Sequence, residues 1–128
     1  MRYVEFILYV ADQTASRDFY QAVLGLIPRL DVPGMTEFQL NESAVLGLMP
    51  ASGIKRLLGL AIAEPVESGR FPKCELYIPV DNPQAMSEAV VAAGGKLLSP
   101  AEPRGWGDLV AYAADLDGHV LAFAKNLP

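Results

Sequence analysis

The chain is 128 residues long, one domain's worth, and its apolar fraction of 52% is ample for a packed core. No apolar run approaches the roughly 20 residues of a membrane-spanning helix, Glu5 interrupts the N-terminal apolar stretch that a secretory signal would keep unbroken, and the single Cys74 supplies neither an intramolecular disulfide nor a zinc-binding thiolate cluster, so a cytoplasmic location is expected. A net charge of −5 without any basic block excludes nucleic acid, whose phosphates demand clustered Lys and Arg, and favours neutral or cationic small molecules as guests.

The first element, Val4 to Val10, is β-branched and apolar and reads as a strand covered on both faces. Asp12 or Thr14 caps a helix running to about Leu24, with Ala15, Phe19 and Val23 on one stripe and Gly25 as the left-handed stop. Pro33-Gly34 marks a turn, after which 36–40 and 44–49 read as two strands joined at Asn41-Glu42; residues 28–31 form either loop or a further short strand. Residues 51–72 carry Pro, Gly, Ser and charge and read as a connection. Its apolar patch Leu57-Leu58-Gly59-Leu60-Ala61-Ile62 is too long to leave in water and predicts an edge strand or a cover over the core. A strand then restarts at 74–80, Asn82-Pro83 supplies a cap and a first-turn proline, and Gly94-Gly95 ends the second helix. Strands follow near 96–98, 109–113 and 119–124, with Leu116-Asp117-Gly118 as the last hairpin turn.

The second half repeats the first with a displacement of 70 positions. Glu5-Phe6-Ile7-Leu8-Tyr9-Val10 falls on Glu75-Leu76-Tyr77-Ile78-Pro79-Val80, and in the same register Asp12 meets Asn82, Ala15 meets Ala85, Ala22 meets Ala92 and Gly25 meets Gly95. Module one therefore spans 1–50, the connection 51–72 and module two 73–128, with the extra residues of the second copy placed in 100–107.

Three segments, YVADQTASRDFYQAVLGL, YIPVDNPQAMSEAVVAAGGKLL and ADLDGHVLAF, stand in order over this repeat. Together they resemble the vicinal oxygen chelate superfamily, which includes glyoxalase I, bleomycin resistance proteins and extradiol dioxygenases. The resemblance implies an α+β fold of two β-α-β-β-β modules forming an incomplete barrel around a cavity, often as a homodimer that exchanges modules. Metal-dependent members hold one divalent ion with four side chains, usually His or Glu, and in the glyoxalase-like pattern those positions fall on Glu5, Gly47, Glu75 and Ala122. Gly47 and Ala122 have no donor atom, whereas zinc, nickel or iron sites use about three or more protein ligands. Glu5 and Glu75 alone would hold a hard divalent cation weakly, so no metal cofactor is expected.

Strand alternation then assigns side chains to the cavity face. If Glu5 points inward, so do Ile7 and Tyr9, followed by Glu75, Tyr77 and Pro79 in the second module, Val45, Gly47 and Met49 on one side, and Val120, Ala122 and Ala124 on the other. Two carboxylates converging in such a lining would share a proton, receive a cationic ligand, act as general acid or base, or remain merely solvated if the cavity is open. Trp106, freed by Gly105 and Gly107, reads either as a ring laid over the cavity mouth or as a core plug. Phe38 and Tyr112 are cavity candidates whose parity the meander leaves open. His119 is turned away from the cavity, and Cys74 lies beside an acid that suppresses its thiolate. The expected function is metal-independent binding of a small, basic or aromatic molecule. The alternatives are a glyoxalase-like lyase or isomerase, or a dioxygenase, using Glu5 or Glu75 or an atypical metal site, and a non-catalytic dimeric scaffold.

Overall fold

The computed structural model describes residues 1–65 and 71–128. The chain divides into two compact units, Met1–Glu67 and Ser68–Pro128. Residues 66–70 of the expected connection lie outside the described residues.

In the first unit the order is β1 (Val4–Val10), α1 (Gln13–Leu24), β2 (Leu30–Val32), β3 (Met35–Asn41), β4 (Ala44–Pro50) and α2 (Ala51–Leu58). The four strands form one mixed sheet in the order β1-β4-β3-β2, with β1 parallel to β4 and the other neighbours antiparallel. Helix α1 starts where the Asp12 side chain accepts the Ala15 N–H at 3.0 Å, and it stops at Gly25, whose φ of 67° lies in the left-handed region that side-chain-bearing residues avoid. Its buried stripe is Ser16, Phe19, Tyr20 and Val23. Phe19 and Val23 of the expected stripe are buried and Ala15 is half-buried, and the stripe widens to Ser16 and to the fully buried Tyr20, which packs edge-on against Phe19 with ring centroids 5.0 Å apart.

The register separates the faces of this sheet. Phe6, Leu46 and Phe38 share one row and Leu8, Leu48 and Thr36 the next, and all except Phe6 are buried. Phe38 is thus a core residue on the face opposite Glu5, which corrects its candidacy for a binding site: the pleat of β3 presents Glu37 and Gln39 on the Glu5 face instead. The predicted edge strand around 57–62 is also corrected. The segment is helix α2 followed by a single 3-10 turn at Gly59–Ala61, and the Lys55 ammonium donates to the carbonyls of Gly59 and Ile62 at 2.8 and 2.7 Å, satisfying groups that a helix end leaves open. Helix α2 packs on β4 and β1, so it belongs to the first unit, while Leu57 and Leu60 stay exposed rather than covering a core.

The second unit repeats this plan: β5 (Glu75–Pro79), α3 (Pro83–Ala92), β6 (Lys96–Pro103), β7 (Asp108–Ala114) and β8 (Val120–Asn126), in the sheet order β5-β8-β7-β6. Asn82 caps α3 by accepting the Ala85 N–H at 3.1 Å, and Pro83 occupies the first turn, where its missing N–H costs nothing. Strand β6 runs well past the expected 96–98, with two irregularities in its register against β7. The result is an α+β fold of two β-α-β-β-β modules, each a four-stranded mixed sheet that does not close on itself. Among the described residues no helix is long and apolar enough to cross a membrane.

The turn between β7 and β8 is built on a buried carboxylate. Asp115 Oδ1 accepts the backbone N–H groups of Asp117 and His119 at 2.9 and 2.8 Å, and Oδ2 lies 2.8 Å from His119 Nδ1. Burial pulls the His119 pKa down, but the Asp115 hydrogen bond and the charges of Asp115 and Asp117 outweigh it and hold the value above that of a free imidazole. A histidine shifted this way contributes stability fully below its unfolded value of about 6.5 and loses it as pH rises through the folded value. Urea unfolding should accordingly show stability falling from about pH 6 upward, and His119→Gln should flatten that slope. Asp115→Ala should cost about 1–3 kcal/mol in the same assay, because it removes the acceptor of two part-buried N–H groups.

Candidate functional site

On the face of the first sheet turned away from α1, Glu5 and Ile7 of β1 stand in register with Val45 and Gly47 of β4, and these with Gln39 and Glu37 of β3. Tyr9 and Met49 continue the same face. Gly47 is the key to its geometry. A Cβ at this position would fall on the Glu5 carboxylate, and would also meet Ile7 Cγ1 at 3.1 Å and Met35 Sδ at 3.3 Å. The missing side chain is what lets Glu5 fold down against the sheet. There its Oε2 is buried with no hydrogen-bond donor.

The acid that shares this face is Glu37, in register with Gly47. Glu37 Oε1 accepts Arg29 Nε at 2.9 Å, and the same guanidinium donates to Gln39 Oε1 at 2.7 Å and to the Tyr3 hydroxyl at 3.2 Å. Its plane lies 5.0 Å from the centroid of the Tyr3 ring, and the Arg29 backbone N–H is tied to the Glu37 carbonyl at 2.8 Å. Arg29 is therefore paired with Glu37, and among the described residues no ion pair reaches Glu5. Burial, followed by a carboxyl–carboxyl hydrogen bond with Glu37 and the Glu37 charge, pushes the Glu5 pKa above the ordinary glutamate value; Arg29 opposes this more weakly.

The second sheet carries different chemistry on the corresponding face. Tyr77 of β5, Ala122 of β8 and Tyr112 of β7 stand in one row. The Trp106 indole N–H donates to the Tyr77 hydroxyl at 2.8 Å, that hydroxyl donates to Asp108 Oδ2 at 2.6 Å, and Asn126 Nδ2 donates to Asp108 Oδ1 at 3.1 Å. The Tyr77 and Asn126 bonds hold the Asp108 carboxyl below its usual range, while burial and then Asp108 push the Tyr77 phenol up. Trp106 is 59% exposed, so it is not a core plug but a ring tethered by its N–H. Arg104 lies 5.2 Å over the Tyr112 ring, fixed by Ser99 Oγ and the Val110 carbonyl at 2.9 Å each.

Of the expected site residues, Glu5, Ile7, Gly47 and Met49 share the face of the first sheet, and Tyr77, Tyr112 and Ala122 share the face of the second, with Trp106 bonded to it. Glu75 is exposed at the start of β5, in register with Val120. Arg29, Glu37, Gln39 and Tyr3 were not foreseen. The alternation of Glu37 and Gln39 with Thr36 and Phe38 was the available signal, but polar residues on a strand look the same in sequence whether they face water or a site.

The metal-ligand positions implied by the resemblance do not fit a transition ion. In each unit only one of the two carries a donor, Glu5 in the first and Glu75 in the second, and in the first unit the space for a side chain at 47 is already taken by the Glu5 carboxylate. Among the described residues one other group has metal-ligating chemistry, Asp115, Asp117 and His119, whose ligand atoms lie within 4.8 Å of one another. Its buried member has both oxygens engaged in closing the β7–β8 turn.

The family model described as Glyoxalase/Bleomycin resistance protein/Dioxygenase superfamily matches residues 2–123. The chain belongs to this superfamily. Among solved structures it is similar to a glyoxalase-related enzyme from Fulvimarina pelagi, at 30% identity and a TM-score of 0.82, covering 96% of this chain and 86% of that one. It is also similar in fold to a glyoxalase/bleomycin resistance protein/dioxygenase family enzyme from Burkholderia phytofirmans PsJN, at 21% identity and a TM-score of 0.80, covering 98% of each chain. No curated protein matches it in sequence.

The contact between Glu5 and residue 47 makes a direct prediction. Gly47→Ala should destabilise the fold by about 1–3 kcal/mol, as overpacking does. In a Glu5→Ala background the same change should cost less, and a double-mutant cycle by urea unfolding would measure the difference; equal costs in both backgrounds would show that Glu5 does not occupy this space.

Proposed function

We propose that this protein binds a small basic or aromatic molecule without a metal ion. The observation that carries the reading is the Glu5 carboxylate in the place of a side chain at Gly47: the position that a metal-dependent relative fills with a ligand is here given to an acid that no ion pair reaches among the described residues. On the same sheet face Ile7, Tyr9 and Met49 offer apolar surface, and in the second unit Tyr77 and the exposed Trp106 offer rings for a planar guest. Glu75, the counterpart of Glu5 in the repeat, is the second acid of this reading. We place the protein in the cytoplasm and expect a homodimer, in keeping with the exposed Phe6 and Tyr9 on β1, a strand that ends its sheet.

A second reading is favoured by one feature. An acid whose proton is held above the ordinary carboxylate range suits general acid–base catalysis, and in an enzyme of this superfamily Glu5 would be the residue to move the proton.

Metal analysis of protein purified without chelator, thermal shift with divalent ions, and thermal shift with a panel of cationic aromatic compounds separate these readings. The expected result is no tightly held ion, no stabilisation by nickel, zinc or iron, and stabilisation by a subset of the cations. A compound at about 100 times its dissociation constant should add about 2.7 kcal/mol, and Glu5→Gln should remove most of that gain. Stoichiometric metal that stabilises the fold would refute the reading.

A further inference from the structure

We propose that Tyr77 is a positioning residue: backed by Asp108, it holds the Trp106 indole in one orientation on the second sheet, as a stacking surface that is set before a guest arrives. The role given to the ring rests on the binding reading; the tether that orders it does not.

The strand registers show how far the tyrosine reaches. Along β8, Tyr77 is level with Ala122, whereas Asp108 of β7 is level with Asn126. The two side chains nonetheless meet at 2.6 Å. Because β8 lies between β5 and β7, the Tyr77 side chain crosses that strand and runs toward its carboxyl end instead of standing up from the sheet. The β8 positions on this path are Ala122 and Ala124, which alternation puts on the same face. Their methyl groups leave room for a ring to lie across the strand, and both are buried.

Asp108 fixes the direction of the hydrogen bonds. A carboxylate only accepts, so the phenol donates its proton to Asp108 and its oxygen accepts the Trp106 N–H at 2.8 Å. Asn126 holds the other carboxylate oxygen at 3.1 Å. A bond to a charged acceptor is the stronger kind, and it polarises the phenol oxygen toward its own donor. The backbone at the tip of the β6–β7 hairpin is fixed as well: the Gly107 N–H donates to the Arg104 carbonyl at 3.1 Å, the Arg104 N–H to the Asp108 carbonyl at 2.8 Å, and the Leu127 N–H to the Gly107 carbonyl at 3.0 Å. The ring lacks such support. Glycines flank it on both sides, and among the described residues the hydrogen bond to Tyr77 is the one that reaches it. With its N–H turned to Tyr77, the exposed indole offers a guest its π face and no donor. A flat cation is therefore met by stacking, and the freedom that a loose tryptophan would lose on binding is already gone.

The test uses the full chain labelled with nitrogen-15 and followed by NMR. Trp106 is the only tryptophan, so a single indole N–H signal reports the tether. In the wild type that proton should exchange slowly with water and the ring should be as ordered as the hairpin backbone, whereas Tyr77→Phe, which keeps the ring and removes the hydroxyl, should free both. N-methylquinolinium, a flat cation without an N–H, should bind Tyr77→Phe about 2- to 10-fold more weakly, the loss expected for re-ordering one side chain. N,N-dimethylpiperidinium, a cation with no flat face, should not distinguish the two proteins. In a Trp106→Ala background Tyr77→Phe should have no further effect on N-methylquinolinium. Asp108→Ala leaves the phenol without its acceptor, should act in the same direction, and stands in for Tyr77→Phe if that variant does not fold. An indole that exchanges freely in the wild type, or one left unchanged by Tyr77→Phe or its stand-in, would overturn the tether. Undiminished affinity for N-methylquinolinium in the variant, equal losses with and without Trp106, or equal weakening of the two cations would overturn the positioning role. Failure of N-methylquinolinium and the whole cationic panel to bind would refute the binding reading and this role with it, while the indole signal would still decide the tether.

Discussion

A carboxylate lying in the volume of an absent side chain is the constraint on which the candidate site depends. Gly47 is buried in the middle of β4 between two strands, where its lack of a Cβ weakens local packing, and the space is filled not by a neighbouring methyl group but by the Glu5 side chain. Once Glu5 is folded down, its charge has to be handled locally. Arg29, the cation whose charge acts on Glu5, is held by three side chains and stacked on Tyr3, and its bonds to Glu37 are made by both its backbone and its guanidinium. The electrostatics of this face are thus set by which acid Arg29 chooses. It pairs with Glu37.

The repeat explains how one backbone plan carries two chemistries. Both modules use an amide or carboxylate cap at equivalent positions, Asp12 and Asn82, and both place their first strand parallel to their last at the end of a four-stranded sheet. Those features are backbone requirements. The side chains on the open faces answer to no such requirement, and they have diverged: acids and Arg29 on the first sheet, a Trp106–Tyr77–Asp108 hydrogen-bonded chain on the second.

Legibility in the sequence followed the same division. The caps, the glycine stop at Gly25, the doubled strand order and the alternation placing Glu5, Ile7 and Gly47 together are dictated by local rules, and the structure has them. The misreadings have physical causes. Leu57 and Leu60 suggested burial that did not occur: the segment closes as a helix whose end is tied by Lys55 to the carbonyls of Gly59 and Ile62, and both leucines stay exposed. Phe38 and Glu37 are adjacent, and a single step of register decides which of them meets Glu5; no feature of β3 taken alone sets that step, because it is determined by pairing with β4 across the turn at 42–43. Arg29 was invisible for a related reason, since its partners lie at sequence separations of 8, 10 and 26 residues and converge only when the sheet is assembled.

Gly47 and Ala122 carry no donor, yet the face around Gly47 keeps a chemistry of its own. A divalent ion at this face would have to compensate the desolvation of its ligands with a nearly complete donor set. Removing the ligand at 47 would take away part of that set and would simultaneously create the space into which Glu5 settles against Glu37. From that arrangement a return to metal binding requires more than a new ligand at 47, because any side chain introduced there meets the Glu5 carboxylate first. A metal at this face would therefore have to be held without a side chain at 47, and the Glu5 carboxylate standing in that space is what sets the limit.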